Sequence, residues 1–143
     1  METEGKIGKY LDGWMGESFY SLFRIIIGVV FFLHGIQKML GAFGGVDGLG
    51  GTPPLLGLFG LAGVIEVFAG LFIAAGAFTR FFAVIAAVEM LVAYLMIHLP
   101  NGAVPLLNGG ELALLYFASF LTIAKYGSGK WSLEKMMLEK ETF

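Results

Sequence analysis

The sequence predicts an all-α fold: a four-transmembrane-helix antiparallel bundle with interfacial segments at its two ends. Three observations carry that prediction. The 143 residues are 57% hydrophobic and 14% charged, with a mean hydropathy of +0.82, too apolar for a domain that must present a water-soluble surface. The apolar residues gather into four runs of about 16 to 23, close to the ~20 residues that cross a ~30 Å hydrocarbon core at 1.5 Å per residue. The second and third runs are separated by so short a connection that their helices must be antiparallel neighbours.

The spans are expected at about 18–40, 55–77, 81–99 and 111–126, within a single membrane domain over 1–143. In order along the chain, Tyr10, Leu11, Trp14, Met15 and Phe19 fall at helical spacing, with Lys6, Lys9 and Asp12 elsewhere, as in an amphipathic segment lying on the membrane surface. Ser18 is the expected cap of the first span. That run is too long for the h-region of a signal peptide and follows mixed charges, so it is read as retained. It carries Arg24, His34 and Lys38, and the last two, at i and i+4, share a face.

A glycine-rich loop follows, with Pro53 and Pro54 read as the entry to the next helix. No G-x-x-x-x-G-K-[ST] occurs there, which argues against a phosphate cradle. The second run is rich in Gly and Ala, small enough for another backbone to approach closely, and holds Glu66 at its middle. A turn is expected at Thr79 and Arg80. Glu89 lies near the middle of the third run and His98 at its end. An uncharged loop leads to Glu111, which opens the short fourth run. Ser132 is the expected cap of an interfacial helix behind Trp131.

Basic residues set the orientation. Lys6, Lys9, Arg24, Arg80, Lys125, Lys130, Lys135 and Lys140 fall on one side of a four-span bundle, so both termini are expected in the cytoplasm and the protein in the cytoplasmic (inner) membrane. A net charge of -2 offers no basic stripe for nucleic acid. With no Cys, the chain has no thiol redox pair, disulfide or iron–sulfur ligand. The two His residues sit at different depths, unlike a bis-His haem pair. No intrinsic cofactor is therefore expected.

An ionisable group within a membrane span costs roughly 2.5–3.5 kcal/mol near its centre on insertion scales, so such groups face an interior hollow and a partner. Glu66 and Glu89, at similar depth on adjacent helices, are the candidate proton relay. Arg24, His34, Lys38, His98 and Glu111 are the candidate ligand-binding groups. The bland alternatives stand beside these: carboxyls as hydrogen-bonding glue between helices, Lys38 snorkelling to headgroups, His98 and Glu111 as boundary residues, Arg24 as an anchor. Small-residue faces also permit a homodimer.

The run RIIIGVVFFLHGIQKMLGAFGG, with Arg24, Gly28, His34, Gly35 and Lys38, resembles the opening of the DoxX family of small membrane proteins. The resemblance continues through GVIEVFAGLFIAAGAFTR, with Glu66, Gly70, Gly76, Thr79 and Arg80, then NGGELALLY, with Gly110 and Glu111, and GSGKWSLEK, covering roughly 18–135. It implies a four-helix membrane subunit of a quinone-linked or thiosulfate-linked oxidoreductase, with quinone as substrate and a soluble or membrane oxidoreductase as partner. The competing expectation is a non-catalytic membrane scaffold, or a small-solute transport-like protein, whose buried charges are structural.

Overall fold

The computed structural model describes residue 13 and residues 15–139; the N-terminal amphipathic segment expected around Tyr10 and Trp14, and Lys140, lie outside them. Among the described residues the chain is helical throughout its main elements. These are α1 (Gly16–Leu40), α2 (Leu58–Ala75), α3 (Thr79–Ala93), the short α4 (Pro105–Asn108), α5 (Glu111–Tyr126) and α6 (Leu133–Leu138). A π turn (Tyr94–His98) and a 3-10 turn (Leu99–Asn101) prolong α3. The helices Gly16–Leu40, Leu58–Ala75 and Thr79–Asn101 are long and apolar enough to cross a membrane. The fourth run forms α5 as expected; its 16 residues reach only about 24 Å at the α-helical rise.

Helix α1 lies antiparallel along α2 in the tightest packing of the bundle, because glycine removes side chains from the seam. A Cβ placed on Gly28 would sit 2.5 Å from the Ala74 amide nitrogen, and one on Gly35 would sit 2.5 Å from that of Val67. Gly70 likewise faces the Phe32 backbone. Such contact between helix backbones replaces the hydrophobic driving force that lipid cannot supply. Helices α3 and α5 form the second pair. Ala83, Ala86, Ala87 and Met90 recur on one face of α3, and the buried stripe Ala113, Tyr116, Phe120 and Ile123 recurs on α5, each at the three- and four-residue spacing of a helix face. Phe31 of α1 closes the core against this stripe, with ring centroids 5.2 Å from Tyr116 and 4.6 Å from Phe120. Outside, Phe68, Leu71, Phe81, Val88 and Leu115 are exposed, the apolar coat that hydrocarbon requires.

Several boundaries differ from the sequence expectation. Ser18 lies inside α1, which begins at Gly16. Pro53 and Pro54 precede Leu58 by a turn and do not open α2. The connection to α3 falls at Gly76 to Phe78, ahead of Thr79, because Gly76 ends α2 in the left-handed region at φ 73° and Phe78 follows at φ 48°. The glycine-rich loop folds back on itself. Asp47 Oδ1 accepts from the Leu49 and Gly51 amides at 2.8 and 2.9 Å, and Val46 N donates to Gly51 O at 3.1 Å.

At the other end of the bundle Arg24 is fully buried and donates to the carbonyls of Ile73, Ala74 and Trp131. The first two are carbonyls in the last turn of α2, where helix bonding runs out; that of Ile73 also accepts from the Gly76 amide at 3.2 Å. The third ties down the C-terminal segment. Ser132 caps α6 by accepting from Lys135 N at 3.1 Å, as its position implies, and donates to Gly76 O at 2.8 Å. Arg80 similarly donates to Ala124 and Lys125 carbonyls at 3.1 and 2.6 Å, finishing α5.

Candidate functional site

The glycine seam between α1 and α2 sets the register that builds the site. With Gly35 against Val67, the next turn of α1 carries Lys38 onto the face of α2 beside Gly63 and Glu66. Lys38 Nζ forms an ion pair with Glu66 Oε1. The Glu66 side chain is 3% exposed and that of Lys38 19%, so the lysine turns inward and does not reach for headgroups. Four residues back on α1, His34 meets Tyr116 of α5 edge-on, with centroids 5.9 Å apart at 85°. Glu89 enters from α3, within electrostatic reach of both Glu66 and Lys38.

These side chains share one cavity of about 670 Å³ between α1, α2, α3 and α5, within the 300–1,000 Å³ typical of small-molecule sites. Its walls are mostly apolar, including Phe31, Ala62, Ile65, Ile85, Met90 and Ala113, and its polar groups are Lys38, Glu66, Glu89, His34, Tyr116 and His98. Glu66 Oε2 and both carboxyl oxygens of Glu89 are buried, with no hydrogen-bond partner among the described residues. Buried polar atoms are nearly always satisfied, which sets these three oxygens of one hollow apart. The protein has spent one cation on one of two carboxyls and left the second open.

The seven sequence candidates therefore divide. Lys38, Glu66, Glu89, His34 and His98 line the cavity. His98 stands at its rim, its Nδ1 3.2 Å from the Asn108 carbonyl oxygen. Glu111, at the exposed start of α5, does not line the cavity, although its neighbours Leu112 and Ala113 do. Arg24 lies about 21 Å from Lys38 along α1 at 1.5 Å per residue, held by the carbonyls described above; its place in the fold is that of an anchor. Tyr116 was not among the candidates. It carries no charge and sits in an apolar run, and only the spacing of Ala113, Tyr116, Phe120 and Ile123 along α5 hints that it faces inward.

Fold and cavity together define a small helical membrane protein with a polar hollow among its spans. The DoxX family model matches residues 19–99, and the chain belongs to the DoxX family. That stretch holds every cavity-lining candidate. The chain is also 38% identical over 128 residues to an uncharacterized protein of Haemophilus influenzae, covering 85% of this chain and 92% of the relative. No solved structure matches the chain.

Proposed function

We propose that this protein binds a quinone, or a small redox molecule of similar size, in the cavity around Lys38 and Glu66, and serves as the membrane subunit of a quinone-linked or thiosulfate/quinone oxidoreductase. The observation that carries the reading is the open end of the ion-paired site: apolar walls that suit a ring and tail, with Lys38, His34 and Tyr116 as polar groups for its oxygens and Glu66 and Glu89 placed to exchange protons. The chain has no Cys and two His, so electrons are assigned to an external oxidoreductase partner. Arg24, Arg80, Lys125 and Lys130 cluster at the end of the bundle opposite Lys38, which supports placing both termini in the cytoplasm and the chain in the cytoplasmic membrane.

The second reading, a scaffold whose charges only hold helices together, draws on the Lys38–Glu66 pair itself, which joins α1 to α2. The test is saturable binding of a short-tailed benzoquinone by the purified protein. The proposal expects one site per chain, weakened at least tenfold by His34→Ala and by Glu66→Gln. Absence of binding, with stability alone lowered in the variants, supports the scaffold.

A further inference from the structure

The unsatisfied atoms in the cavity are all of one kind. Glu66 Oε2, Glu89 Oε1 and Glu89 Oε2 are carboxyl oxygens, buried and without partners among the described residues. Glu66, paired with Lys38, only accepts through its free Oε2, whereas Glu89, which has no cation of its own, offers one oxygen to accept and an O–H to donate. A quinone offers two carbonyl oxygens, which also only accept, so it can satisfy Lys38, Tyr116 or the Glu89 O–H but leaves the free Glu66 oxygen as it is. A hydroquinone or phenol offers O–H donors, each matching one accepting oxygen. Leaving a buried polar atom unpaired is what lets a site reject the analogue that lacks the matching group.

The way in fits the same class of molecule. Leu61 of α2 and Val84 and Val88 of α3 line the cavity, yet are 50%, 53% and 56% exposed on the outer surface of the bundle. The hollow therefore communicates with the lipid-facing side between α2 and α3. A ligand entering there comes from the hydrocarbon, with an apolar body and a head that has few groups to desolvate.

Resting on the quinone-site reading above, we infer that the cavity selects the reduced, hydroxyl-bearing member of the redox pair: a membrane-dissolved hydroquinone, taken from the bilayer between α2 and α3, whose O–H groups donate to Glu89 and to the free oxygen of Glu66. Only binding is inferred, with no bond made or broken in the site. A tenfold preference for the reduced form makes the bound two-electron couple about 30 mV more oxidising than the free one.

The experiment compares three tail-matched ligands with the full-length protein in lipid nanodiscs under anaerobic conditions: a benzoquinone, its hydroquinone and the hydroquinone dimethyl ether. The expected result is hydroquinone binding at least tenfold tighter than either of the others. In Glu66→Gln, whose amide supplies N–H donors that a quinone carbonyl accepts, both affinities weaken and their ratio falls at least tenfold. Quinone binding as tightly as hydroquinone overturns the inference and leaves the quinone site standing. The dimethyl ether matching the hydroquinone also overturns it, since the hydroxyl protons then contribute nothing. Absence of binding by all three overturns both this inference and the reading on which it rests.

Discussion

Lys38 of α1 and Glu66 of α2 meet as an ion pair inside the bundle, joining two helices whose backbones are already pressed together at Gly28, Gly35 and Gly70. The pair is both a tie and a wall of the cavity, and the two roles separate by substitution. Removing one member strands a charge away from water, whereas removing both leaves apolar groups of similar shape. Glu66→Met alone is expected to cost about 3 kcal/mol, the lower end of the range for breaking a buried pair, because Lys38 retains some exposure. The double variant Lys38→Met/Glu66→Met is expected to recover to within about 1 kcal/mol of the parent. Reversible unfolding in mixed detergent measures both, and a double variant no more stable than the single one contradicts the assignment.

Glu89 behaves differently if it is kept for a ligand. It has no hydrogen-bond partner among the described residues, so Glu89→Gln breaks no protein contact and is expected to change stability by under about 0.5 kcal/mol or to raise it. Were Glu89 glue between helices, the same change would cost more than about 1 kcal/mol. An unfolding titration of the variant decides between them.

Arg24 supplies the opposite control. Its bonds to Ile73, Ala74 and Trp131 carbonyls hold the end of α2 and the C-terminal segment. Arg24→Met is expected to cost about 3 kcal/mol or more and to open residues 128–139 to limited proteolysis, while ligand affinity at the far end of α1 changes less than twofold. Protection of the C-terminal segment in the variant would contradict the anchoring role.

The lines of the bundle were legible in the sequence for a simple reason: hydropathy summed over a span reports directly on the solvent around it, so runs near 18–40 and 111–126 became α1 and α5 with small changes at their ends. Turn positions were less legible, since Thr79 and Arg80 look no more like helix than like loop until Gly76 and Phe78 are seen to take left-handed φ. Inside the bundle, sequence named Lys38, Glu66, Glu89 and His34 as groups needing company, because charge in oil is costly wherever it points. Which of them meet depends on helix rotation. The seven-residue spacing of Gly28 with Gly35 and of Gly63 with Gly70 carries that register, but becomes readable only once the two faces are known to touch. Tyr116 had no such flag, and Glu111 carried one yet stands outside the cavity.

The same seam yields a prediction about geometry. Gly35→Ala places a methyl against the Val67 backbone, and the helices must part to take it. The expected cost is about 1–3 kcal/mol, with a loss of ligand affinity as Lys38 is moved away from Glu66. Destabilisation with unchanged affinity would show that the seam does not set the site.

The glycine-rich loop has its own pH dependence. Backbone donors at Leu49 and Gly51 hold the Asp47 carboxyl below its ordinary value of 3.8. A carboxyl depressed in the folded loop contributes order above about pH 4 and loses it as pH falls through the folded value. Amide exchange at Leu49 and Gly51 is expected to quicken below pH 4 beyond the intrinsic change, an effect removed by Asp47→Ala. Equal exchange in parent and variant at low and neutral pH would contradict the loop assignment.

The most direct measurement of the central claim is the titration of a short-tailed benzoquinone into the purified protein and into the Lys38→Met/Glu66→Met variant, chosen because it is expected to stay folded. The account predicts saturation at one ligand per chain in the parent and at least a tenfold loss of affinity in the variant. Equal affinity in the two proteins, or a signal that grows with ligand without saturating, would contradict it.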